Sequence, residues 1–110
     1  MMDDNENELL FHFSIKEKED VSFNLISGLN EMEIFVFNQE NLKEDTVKES
    51  EESAYSLEGY VFIAKDDLQN KEFIIKVQKR YEYRKKYVHF TLIASTKAGN
   101  LRLEAGNAHY

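Results

Sequence analysis

The chain contains no cysteine. Disulfides and thiolate metal sites are therefore excluded, while the compartment stays open. It contains no proline either, which is unusual for a β-rich protein and leaves the turns to Gly, Asn and Asp. No apolar run approaches the ~18 residues of a membrane-spanning helix. Base is scarce against acid: 14 Lys and Arg face 21 Asp and Glu, for a net charge of −7 and a pI near 5.0. That balance argues against nucleic acid or an anionic membrane as the main partner. The opening residues are acidic and do not read as a secretory signal. The doubled Met1-Met2 suggests a monomeric module taken from a longer chain, whose targeting signal would lie elsewhere.

What is present suits one globular domain. The chain has 110 residues, 42% of them apolar and 32% charged. Eight Phe and six Tyr supply most of the area available for burial, at roughly 25 cal/mol per Å².

The apolar period is two nearly throughout. Phe11, Phe13 and Ile15 alternate with His12, Ser14 and Lys16, and Val21, Phe23 and Leu25 with Ser22 and Asn24. Phe73, Ile75 and Val77 alternate with Lys76 and Gln78, and Phe90, Leu92 and Ala94 follow. This is the pattern of half-buried strands, and it predicts Phe23, Ile34, Ile75 and Leu92 as core residues. Met32 to Phe37 and Tyr60 to Ala64 are apolar on both faces, which suits central strands or strands with a second covered face. Lys16 to Asp20, Ser27-Gly28-Leu29-Asn30 and Asp66 to Asn70 read as connections, with Gly28 free to take positive φ. No convincing helical stripe is present; the best candidate, between Glu40 and Tyr55, is mostly charge.

Three segments fall outside this pattern. Residues 1–8 form an acidic lead. Residues 39–58 form a long connection with seven carboxylates against two lysines. Residues 96–110 read as a linker followed by the possible start of another module. The expected fold is an all-β, antiparallel, jelly-roll-like sandwich over residues 9–95, with about seven to nine strands.

Several of these residues carry a family resemblance. Phe11-His12-Phe13-Ser14-Ile15, a charged turn, then Asp20-Val21-Ser22-Phe23-Asn24-Leu25 resembles the opening of the bacterial pre-peptidase C-terminal domain. Glu33-Ile34-Phe35-Val36-Phe37 is similar to that family's "D-L-Y-L-Y" strand. Glu72-Phe73-Ile74-Ile75-Lys76-Val77 and Phe90-Thr91-Leu92-Ile93-Ala94 are similar to its closing strands. The likeness spans residues 9–95. It departs from the family at Glu33, where an Asp is usual, and at Asn70-Lys71-Glu72, where a Gly turn is usual. The resemblance implies a jelly-roll-like accessory domain of proteases and surface proteins, some members of which bind calcium and matrix. The tail from Ala94 to Ala105 resembles inter-repeat linkers of large protist surface proteins. A second resemblance, through Lys16 to Leu25 and Phe90 to Thr96, is to the β-sandwich domain of calpains.

Two groups of residues are candidate sites. Asp3, Asp4, Glu6 and Glu8 cluster oxygen ligands of the kind calcium takes, and the collagen-binding relatives hold calcium at an acidic N-terminal segment. The same residues without a cation are a solvated terminal charge run. The second group lies between Lys79 and Phe90, read as a hairpin. Arg80, Tyr81, Tyr83, Arg84, Lys86 and Tyr87 mix cations with aromatic rings, as binding hot spots do. Its alternative role is a basic edge that discourages strand-to-strand aggregation. His12, His89 and His109 lack metal-ligand spacing, and no nucleophile elbow or phosphate loop is present.

The functional expectation is a non-catalytic accessory module of a larger secreted or cell-surface protein. It would bind a protein or an extracellular-matrix glycan, with calcium as a candidate stabiliser. The alternative is an intracellular regulatory sandwich of the calpain type, contacting a neighbouring domain.

Overall fold

The structure is a computed structural model that describes residues 7–28, 31–39, 53–56, 59–84, 86–103 and 106–109, and for 53–56 and 106–109 the backbone alone. Among the described residues there are nine strands: β1 (Glu8–Ser14), β2 (Val21–Ser27), β3 (Met32–Phe37), β4 (Ser53–Ser56), β5 (Tyr60–Ile63), β6 (Glu72–Lys79), β7 (Phe90–Thr96), β8 (Gly99–Leu103) and β9 (Gly106–His109). Two short 3-10 turns, Lys65–Asp67 and Tyr81–Tyr83, are the helical elements among the described residues.

The strands form two sheets, in the orders β4-β3-β6-β1-β9 and β5-β2-β7-β8. All pairings are antiparallel except β1 with β9, which is parallel. Only β3 to β4 and β7 to β8 connect strands of one sheet; every other connection crosses to the opposite sheet. The protein is an all-β sandwich.

The inward positions of both sheets make one core. Phe23, Ile34, Ile75 and Leu92 are all fully buried in it, as the period-two pattern predicts. Phe13 and Phe73 are partners across β1 and β6. Phe23 reaches them from the other sheet, with ring centroids 5.7 Å and 5.4 Å away and near edge-to-face angles. β3 is buried on both faces, as expected of a central strand, and Phe35, Phe37 and Ile74 form a second cluster on the outer side. The other two-faced run behaves differently. β5 pairs only with β2, at the sheet edge, and its Tyr60 and Phe62 are exposed.

The connections correct several expectations. Lys16 to Asp20 crosses between sheets and is tied down by its charges. The Lys18 ammonium donates to Leu68 O, Glu19 accepts from Lys97 N–H and Asp20 accepts from Lys65 N–H. The expected Gly turn before β6 is replaced by an amide: Asn70 Oδ1 accepts from Glu72 N–H at 2.6 Å, an Asx turn. Positive φ belongs to Gly59 (85°) and Gly99 (119°), not to Gly28. The segment 53–56, assigned to an acidic connection, pairs with β3 as β4, while residues 40–52 lie outside the described residues. Within the stretch 96–110, read as a linker and the possible start of another module, lie two strands of this sandwich. β8 pairs with β7 and β9 with β1, because Leu101 and Leu103 continue the inward apolar face.

Gly59 is the most constrained turn position. A Cβ there would fall on the Leu25 carbonyl oxygen, and the Gly59 carbonyl accepts from Leu25 N–H at 2.6 Å. Gly59→Ala is expected to lose about 3 kcal/mol, part of it the ~1–2 kcal/mol of left-handed strain and the rest the displaced bond. A thermal melt reads this directly; an unchanged midpoint would show that the β2–β5 contact is not tight there.

Candidate interaction surface

The basic-aromatic segment does not form a hairpin. β6 and β7 lie in different sheets, so residues 80–89 cross from one sheet to the other. Arg80 is extended, Tyr81–Tyr83 make a 3-10 turn, and Arg84 is extended again. Strand alternation stops at Arg80, so it does not sort the tyrosines and arginines of this segment onto opposite faces.

The crossover is held at both ends. Arg80 N–H donates to Glu31 O at 2.9 Å, Tyr83 N–H to Arg80 O at 2.8 Å and Lys86 N–H to Tyr83 O at 3.2 Å. Val88 is buried in the main core at the far end. The near end carries a feature that composition hides. Lys79 occupies an inward position of β6 and is 1% exposed, and its ammonium donates to Lys86 O at 2.5 Å. Burying a charged group is costly unless it is hydrogen-bonded. Here that requirement ties the end of β6 to a loop residue seven positions on.

The six candidate residues divide accordingly. Tyr81 and Tyr87 project into solvent, 84% and 64% exposed, and Arg84 and Lys86 are exposed with them. Arg80 and Tyr83 are half-buried, and the Tyr83 ring packs partly against the core. The Lys86 ammonium sits 5.6 Å from the centre of the Tyr83 ring, a cation–π contact that orients the loop. The result is a fixed platform with two exposed aromatic rings and two exposed cations, on a chain that is acidic as a whole.

The acidic lead is only partly visible. Asp3, Asp4 and Glu6 lie outside the described residues. Glu8 is in β1 and pairs with the Lys76 ammonium at 3.1 Å, with its own side chain mostly exposed. No group of three or more His, Asp or Glu side chains is placed to hold a metal ion among the described residues. His89 precedes β7 instead of lying within it, and is exposed.

No family model, curated protein or solved structure matches the chain. The resemblances seen in the sequence therefore rest on their residues alone. No helix among the described residues is long and apolar enough to cross a membrane.

Sequence reasoning missed two functional features. The Lys79 anchor had no signal beyond an apolar-face register that ends on a lysine. The exposed rings of Tyr60 and Phe62 did have one: a two-faced apolar strand is either central or an edge strand with an open aromatic face.

Proposed function

We propose that this chain is a non-catalytic interaction module of a larger secreted or cell-surface protein, of the pre-peptidase C-terminal kind, and that the 80–89 crossover carries its contacts with a protein partner. One observation carries the reading. Tyr81 and Tyr87 stand 84% and 64% exposed beside Arg84 and Lys86, on a loop fixed at both ends by buried residues. Rings held this way lose little conformational freedom on binding, and Tyr and Arg are the residue types that dominate interface energetics. The exposed Arg84 and Lys86 favour a partner whose contact patch is acidic around an apolar centre.

The test is a binding panel of matrix and surface proteins, with Arg84→Ala and Tyr87→Ala compared with wild type. Each substitution should weaken binding by more than ~1 kcal/mol, roughly fivefold, while the melting temperature stays unchanged. If both variants bind as wild type does, the crossover is a solvated edge and the reading fails.

A further inference from the structure

The outer face of the four-stranded sheet differs from the rest of the molecule. Its outward strand positions run in register across all four strands. Tyr60, Asn24, Ile93 and Arg102 make one row. Phe62, Ser22, Ser95 and Asn100 make the next. Tyr60 and Phe62 are each 55% exposed, and Ile26 is 51% exposed. Among the described residues these strand positions include no Asp or Glu, in a chain with 21 of them. Arg102 is exposed there and forms no ion pair among the described residues. Asp20, at the rim, accepts from Lys65 N–H. At one end the face deepens into an open depression of about 420 Å³, lined by Ile26, Ser27, His89, Phe90, Thr91 and Arg102.

We propose that this face binds an acidic polysaccharide whose sugars carry carboxylates, a uronic-acid chain. Tyr60, Phe62, Asn24, Ser22, Thr91 and Arg102 make the contacts, and the protein-binding crossover reaches this face only at His89. A sugar ring has apolar C–H faces that pack on aromatic rings, and Tyr60 and Phe62 present two such rings side by side on one strand. Its hydroxyls need donors and acceptors, and Asn24, Ser22 and Thr91 supply them without charge. Its carboxylate matches the planar fork of Arg102, which can bind both oxygens at once. The row from Tyr60 to Arg102 crosses three strand spacings, about 14 Å at roughly 4.8 Å each, the length of a short oligosaccharide. Charge complementarity selects the acidic sugar over a neutral one. A chain of net charge −7 repels polyanions at most of its surface, and clearing acid from the strands around one guanidinium creates a place where such a ligand can dock. The same net charge opposes a second copy of the chain as the occupant.

Calorimetry with oligogalacturonate, its methyl ester and a sulfated dextran oligosaccharide, which carries sulfates and no carboxylate, tests this on the full chain. Oligogalacturonate should bind saturably. The methyl ester should bind at least about tenfold more weakly, and so should oligogalacturonate to Arg102→Gln or Phe62→Ser. Both side chains are solvent-facing, so an unchanged melting temperature confirms that these variants are folded. Arg84→Ala should retain the glycan even where it loses a protein partner, which separates this surface from the crossover. Four results would each overturn the proposal: no saturable binding by wild type, equal binding of the methyl ester, tighter binding of the sulfated dextran, or loss in Arg84→Ala with none in Arg102→Gln and Phe62→Ser.

Discussion

Replacing Phe23 by Ala is expected to cost about 3–5 kcal/mol of folding stability, the largest effect of any single core truncation here. Phe23 is fully buried at the centre of β2. It is the ring through which the four-stranded sheet meets the Phe13–Phe73 pair of the other sheet, at 5.7 Å and 5.4 Å. The loss therefore combines hydrophobic transfer, two edge-to-face ring contacts and a cavity that neither sheet can close alone. Domains of this size hold only about 5–15 kcal/mol in total, so the variant would be near the limit of folding. Urea titration should show a lower midpoint at unchanged slope. Ile34→Ala, Ile75→Ala and Leu92→Ala should follow at roughly 2–5 kcal/mol each. A Phe23→Ala shift below about 1 kcal/mol would mean that the two sheets are not joined through these rings.

Asn38→Ala should cost about 3 kcal/mol, a large loss for a polar residue beyond the end of a strand. Asn38 is 8% exposed and uses its whole amide. Its Nδ2 donates to Asn70 O at 2.9 Å and to Glu72 O at 2.8 Å, and its Oδ1 accepts from Gln69 N–H at 2.9 Å. These bonds shape the turn that admits the chain to β6, the central strand of its sheet. Truncation leaves two carbonyls and one N–H without their partner, at ~1–3 kcal/mol for each group that water cannot reach. Asn38→Asp keeps the size but loses both donors, and its carboxylate would face two carbonyl oxygens. Its ionised form is the destabilised one, so its deficit should grow as pH rises past the carboxylate range and shrink below it. Denaturant midpoints across pH measure both effects. An Asn38→Asp variant as stable as wild type at neutral pH would remove the role assigned to the donors.

The strands β1, β2, β3, β6 and β7 and their inward faces were legible in the sequence, and the reason is local. Side-chain direction alternates along any extended chain, so Phe23, Ile34, Ile75 and Leu92 could be placed inside before any partner strand was known. The all-β class followed from the same period. The composition and location of the basic-aromatic segment were also legible, because they need only a count of residues along the chain.

Tertiary structure decided everything that depends on which strand meets which. The chain changes sheet at most of its connections, so sequence neighbours such as β1 and β2, or β6 and β7, are not hydrogen-bonded partners. That is why an apparent hairpin at 80–89 is a crossover, and why its tyrosines divide into free and packed rings. Tyr60 and Phe62 are exposed because they stand on the face of the four-stranded sheet turned away from the core, opposite the inward Val61. The stretch that read as a linker closes both sheets, since Leu101 and Leu103 find a core only once β7 lies beside them. Strand pairing is a contact between distant residues, and a period-two pattern is equally compatible with any partner. Lys79 shows the same limit at a single residue. The sequence places a lysine at the end of an apolar face, and only the return of the chain at Lys86 supplies the carbonyl that allows it to be buried.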